Sequence, residues 1–184
     1  MIKNCNKNNI QNISKLILDA IEDIASTLTG EFEEEKILET LDSYIKMDIC
    51  RLSHKNIFTY VKDEKIVGIL VAYSSNDIDI LDKPMLLNLK DKGILKDSFE
   101  KECFEDEFYI DTISVLKKYQ GQGIAKEFFN FAFKKAKELG YKKVSLLVDF
   151  KKEKAKNLYL KMGFEDNDKL VVAGNDFHHM IKWI

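Results

Sequence analysis

The run Tyr119-Gln120-Gly121-Gln122-Gly123-Ile124-Ala125 has the residue types and spacing to hold a phosphate or pyrophosphate. Its two glycines let the main chain pass close to a ligand, and the first free N–H groups of a helix starting near Gly123 would point at the anion. Lys126 could add charge, but the site would rest on main-chain donors. A Rossmann fingerprint is excluded because Lys126 stands where the third glycine must be and the lead-in from Leu116 to Tyr119 is too long, although Asp149 could mimic the acidic residue of that motif. A P-loop is excluded because no Gly-Lys-Ser/Thr follows.

These residues need a strand and a helix to position them. Phe108 to Val115 is rich in β-branched and aromatic residues and reads as a strand. By two-residue alternation Asp111 shares a face with Tyr109 and Ile113, and Glu107 has the same parity. Downstream, Phe128, Phe129, Phe131, Ala132, Phe133, Ala136 and Leu139 give a helix a broad apolar face, with Gly140 as its stop. Val144 to Val148 is a continuous apolar run of the kind buried on both faces of a sheet. The segment from Ala155 to Phe164 predicts a short helix with Gly163 as a left-handed C-terminal cap, followed by a further strand.

In this order the segments resemble the GNAT superfamily of N-acetyltransferases, which move an acetyl group from acetyl-CoA to an amine. Ile113-x-Val115 is similar to that family's splayed fourth strand, Gln120-x-x-Gly123-x-Ala125 to its Q/R-x-x-G-x-G/A pyrophosphate loop, and Ala155-x-x-Leu158-Tyr159-x-Lys161-x-Gly163-Phe164 to its A-x-x-L-Y-x-K-x-G-F segment. The likeness covers residues 108 to 165. It implies a GNAT fold in the α/β (α+β) class, a mixed and mostly antiparallel sheet flanked by helices, with acetyl-CoA as co-substrate and direct transfer to a primary amine. Ile113, Val115 and Gln120, Gly121, Gln122, Gly123, Ile124 and Ala125 would hold the cofactor, and main-chain N–H groups near Val115 would hold the oxyanion. Tyr159 matches the family tyrosine that protonates the leaving thiolate. Lys152, also expected beside the cofactor, stands where the family commonly has an asparagine against the pantetheine arm, and Gln120 replaces the more usual arginine.

An alkylammonium, with a pKa of about 10.4, must lose a proton before it can attack. Asp111 is the first candidate for that base and Glu107 the second, with Tyr109 shaping the amine pocket. Between Asp97 and Asp111 stand seven acids, Asp97, Glu100, Glu102, Glu105, Asp106, Glu107 and Asp111, against Lys101 alone. Such a run can be a solvated helix face or an acidic collar that attracts a cationic amine such as a polyamine or aminoglycoside. A protein lysine or N-terminus is chemically compatible as acceptor, and a non-catalytic CoA-binding sensor stays open as a reading of another class.

The rest of the chain frames this region as one domain over residues 1–184. With 45% hydrophobic residues it can bury a sizeable core, and a net charge of −2 gives no global attraction to nucleic acid or anionic membrane. Arg51 is the sole arginine among 29 basic residues, which reads as coding bias. Cys5, Cys50 and Cys103 have no metal or redox spacing, and Cys103 reads as an incidental thiol. A cytoplasmic protein is expected, with a homodimer left open. His178 and His179 are adjacent, so on a strand they face opposite sides and bind no common metal.

Upstream, Ile2 to Cys5 predicts a strand, Asn9 to Leu28 one helix ended by Gly30, and Phe32 to Met47 a second helix. Ile57 to Val61 and Ile66 to Tyr73 predict a hairpin. The insertion from residue 74 to 107 is longer than an ordinary connection and predicts short helices around Pro84 to Leu89 and Leu95 to Phe104. Asp176 to Ile184 predicts the last strand.

Overall fold

Hydrophobic alternation in the third strand decides the layering. Ile69, Val71 and Tyr73 enter one core and Leu70 and Ala72 the other, so helices must cover both faces of the sheet. The computed structural model, which describes residues 1–10 and 12–184, has that arrangement. The order is β1 (Ile2–Asn4), α1 (Ile13–Ile21), α2 (Ile24–Thr29), α3 (Glu34–Lys46), β2 (Ile57–Lys62), β3 (Lys65–Ser74), α4 (Ile78–Asp91), β4 (Glu107–Val115), α5 (Ile124–Glu138), β5 (Lys143–Asp149), α6 (Glu153–Lys161), β6 (Glu165–Val172) and β7 (Asn175–Trp183). Among the described residues seven strands lie in the order β1-β2-β3-β4-β5-β7-β6, and β4 with β5 is the one parallel pair. Helices α1 to α4 close the first core, while α5 lays Phe128, Phe129, Ala132 and Ala136 on the second. Each large apolar side chain buried in this way contributes about 1.5–3 kcal/mol.

The hairpin turns on Asp63 and Glu64, both at positive φ (49° and 61°), as a two-residue loop with right-handed strand twist requires. Gly30, Gly140 and Gly163 end their helices in left-handed conformation as expected. The predicted helix from Asn9 to Leu28 is instead two helices; Gln11, within its span, lies outside the described residues. Glu22 breaks it at φ 50° and ψ −122°, and the corner turns Asp19, Ala20, Ile21 and Ile24 toward a cavity.

The insertion also differs from expectation. Its helix runs from Ile78 to Asp91 with Pro84 inside it; the carbonyl that loses its N–H partner belongs to Ile80, whose side chain is exposed. Residues 95–106 form no helix. Side-chain anchors hold that strap in an irregular path: Phe99 is buried under Arg51, Glu102 pairs with Arg51, and the Phe104 N–H donates to Glu107. No described helix is long and apolar enough to cross a membrane.

Candidate active site

The site begins where β4 parts from β5. The two strands pair only over Glu107–Ile110 and Lys143–Leu146. Beyond that, β5 keeps β7 as its partner and β4 keeps β3, so a cleft opens between them. A bulge at Asp111 marks the parting: Val71 pairs with Thr112 and Ala72 with Ile110, leaving Asp111 as the extra residue. Asp111 and Thr112 therefore emerge on the same side, where the Thr112 hydroxyl donates to Asp111 Oδ1 at 2.7 Å. The bulge corrects the simple alternation read from sequence. Asp111 does share a face with Tyr109, but Ile113 packs against the opposite core with Val115.

Main-chain polarity in the cleft follows from the same register. Leu116 N–H bonds to Val67 O, and Val115 O instead accepts from Gln120 Nε2 at 2.9 Å. Strand alternation then directs the N–H groups of Val115 and Ile113 away from β3 and into the cleft. At its end, Gly121 and Gly123 take φ of 74° and 84°, and Gly123 caps α5. A Cβ on either glycine would meet no protein atom within 4 Å, so backbone conformation demands glycine there and the space above the loop is open. Gln122 is pinned by Lys62 Nζ at 2.8 Å. A turn of free N–H donors running into a 15-residue helix suits a pyrophosphate, and these donors could hold that of acetyl-CoA.

The cleft leads into a cavity of about 310 Å³ with walls from the α1–α2 corner, β4, β5, α6 and β7. Asp111, Tyr109 and Tyr159 all line it. The Tyr159 ring stands edge-on to Phe129 and Phe164, and burial raises its phenol above the ordinary range, so it is neutral at pH 7. The Asp111 carboxyl is pushed up by burial and by Glu102, against the pull of Arg51 and of bonds from Tyr73 and Thr112. Lys152 reaches across the mouth to Glu22 at 3.0 Å.

Glu107 lies elsewhere. It is 1% exposed, accepts the Phe104 N–H at 3.0 Å and sits 3.0 Å from Nε2 of His179, itself fully buried. Burial pushes its carboxyl up, but His179 and the Phe104 N–H outweigh that and hold it low. Glu107 thus ties β4 to β7 rather than facing the cavity that Asp111 lines. His179→Leu, which strands this carboxylate, is expected to cost about 3 kcal/mol. A urea midpoint equal to wild type would refute that role.

A family model described as the acetyltransferase (GNAT) family matches residues 18–164. The chain belongs to the GNAT acetyltransferase family. It is an acyl-CoA-dependent N-acyltransferase with acetyl-CoA as co-substrate. A solved acetyltransferase structure is similar at 29% identity and TM-score 0.82, covering 100% of this chain and 99% of that one. An N-acetyltransferase from Staphylococcus aureus Mu50 is similar at 25% identity and TM-score 0.83, covering 98% and 99%. A GNAT family acetyltransferase from Elizabethkingia anophelis, solved with acetyl-CoA bound, shares the fold at 18% identity and TM-score 0.59, covering 100% and 97%. No curated protein matches the chain.

Two residues of this GNAT site, Arg51 and Tyr73, were not singled out for it in the sequence, and Glu102 was named only as one acid of the collar. Arg51, read as coding bias, is 2% exposed and bonds to Asp82 through Nε and Nη2 and to Glu102 through Nη1. Only a guanidinium can serve two carboxylates in that plane, and a sole arginine in a lysine-rich chain was the available signal. Glu102 also accepts from the Tyr109 hydroxyl at 2.9 Å. Tyr73 donates to Asp111 Oδ2 at 2.6 Å, a contact that pairing across a bulge hid. The acidic collar is dispersed: Glu102 and Asp111 line the cavity, Glu100 pairs with Lys96, Asp106 accepts from Asn76 and Glu107 is buried.

Proposed function

We propose that this acetyltransferase acylates a small cationic amine by direct transfer, with the acceptor in the cavity that Asp111 and Tyr159 line together. That juxtaposition carries the reading: Asp111 from β4, as base, and Tyr159 from α6, as acid, would serve one chamber that both side chains line. At its inner end the carboxyl groups of Glu102, Asp111 and Asp82 outnumber the single cation Arg51, which favours an ammonium ion over a neutral or anionic acceptor. Acetyl-CoA supplies the acyl group: the amine nitrogen bonds to the thioester carbon as the carbon–sulfur bond breaks. Asp111 takes the proton the amine loses, and the Tyr159 hydroxyl gives one to the departing sulfur. The Val115 N–H, fixed before reaction, faces the developing oxyanion. Cys103 is no rival nucleophile, because burial pushes its thiol to about 12.

Calorimetric titration with acetyl-CoA, using NADH as control, tests the cofactor half of this reading. Saturable binding of acetyl-CoA alone is expected. In Gly123→Val a β-branched side chain must occupy φ 84° over the donor turn, and affinity should fall at least tenfold. Equal affinity in the variant would remove the loop from the binding site. A screen of primary amines with thiol release as readout then tests the acceptor, and turnover confined to neutral amines would refute the cationic preference.

A further inference from the structure

The inner end of the acceptor cavity is formed by an ion pair with space on both sides. Arg51 lines the 310 Å³ chamber, and it also lines a second cavity of about 490 Å³ bounded by the start of α4 and the strap, including Ser75, Asp82, Phe99, Cys103 and Glu105. Glu102 faces the first chamber, while its neighbours Lys101 and Cys103 face the second. We propose that the Arg51–Glu102 pair is the specificity-determining floor of the acceptor cavity, confining it to short amines by dividing what would otherwise be one continuous channel. This rests on the cavity being the acceptor site.

The two halves of the floor are held differently. Arg51, in the α3–β2 loop, is fixed by Asp82 of α4 and lies over the Phe99 ring at 5.4 Å. Glu102 belongs to the irregular strap, where Arg51 Nη1 at 2.5 Å and the Tyr109 hydroxyl at 2.9 Å hold its carboxylate. Removing Arg51 would strand two buried acids. Removing Glu102 leaves Arg51 still paired with Asp82, so the floor can be opened with the charge balance of that pair intact. Both cavities offer carboxylates, Asp111 in the first and Asp82 and Glu105 in the second, so a linear diamine probes the passage with a cation at each end.

The test titrates α,ω-diamines, from ethylenediamine to decamethylenediamine, into the full chain in the presence of coenzyme A, for wild type, Glu102→Ala and Glu102→Gln. Wild type should bind the short members and lose at least tenfold in affinity for the long ones. Glu102→Ala should recover the long members at least tenfold. Glu102→Gln keeps the bulk and the Tyr109 bond and should follow the wild-type length profile. Equal binding of short and long diamines by wild type, an unchanged profile in Glu102→Ala, or no diamine binding by wild type would each overturn the floor. Acetylation of ethylenediamine is assayed separately: a length-selective binding profile without turnover would sink the small-amine acceptor reading and leave the length-selecting floor standing.

Discussion

Tyr159→Phe is expected to lower kcat by on the order of 10²-fold or more while leaving the acetyl-CoA KM within a few-fold. The ring is held by Phe129 at 5.5 Å and Phe164 at 6.1 Å, contacts that phenylalanine reproduces. Its hydroxyl donates to no protein group among the described residues and lines the cavity, so deleting it breaks no structural bond. Burial keeps the phenol protonated. What the variant loses is a proton positioned for the sulfur, an interaction needed only as the bond breaks. Steady-state kinetics with saturating amine would show it. A kcat equal to wild type would remove the acid role and leave Tyr159 as a packing residue.

Most of the fold was legible because its strongest signals are local. Gly121 and Gly123 between a β-branched strand and an amphipathic helix, the Asp63-Glu64 turn, and Gly163 after the last helix each depend on a few adjacent residues. What stayed hidden is non-local or turns on one backbone angle. Glu22 continues the helical spacing of its neighbours, yet its positive φ splits the helix and shapes the cavity mouth. The strap from residue 95 to 106 has composition enough for a helix, but its path is set by Arg51 and Glu107, residues distant in sequence or in the next strand. In the candidate site, Tyr159 and Asp111 could be named from motif and strand position. The partners that set the environment of Asp111, namely Arg51, Tyr73 and Glu102, come from three separate segments that only the folded sheet brings together.

The same bulge that hid Tyr73 makes Asp111 a costly residue, and the cost gives the second large prediction two readouts of opposite sign. Asp111→Asn is expected to lower kcat by on the order of 10²-fold, because the amide accepts no proton from the amine. It should also raise the melting temperature at neutral pH. The groups around Asp111, namely Arg51, Glu102, Tyr73, Tyr109, Cys50 and Cys103, leave its folded-state pKa above the ordinary aspartate value, with burial the largest cause. A carboxyl with a raised folded pKa contributes stability below its unfolded pKa and loses it as pH rises through the folded one. Ionised Asp111 therefore opposes folding near neutrality, where its activity as a base needs it ionised. Asparagine keeps the size, still accepts from Tyr73 and can donate to Thr112, so the stability gain should grow from acid toward neutral pH. In wild type, kcat should fall as pH drops through that raised value, and the variant should lack this limb. A variant that loses activity and stability together would make Asp111 a structural anchor of the bulge, and one that keeps wild-type kcat would pass the role of base to water.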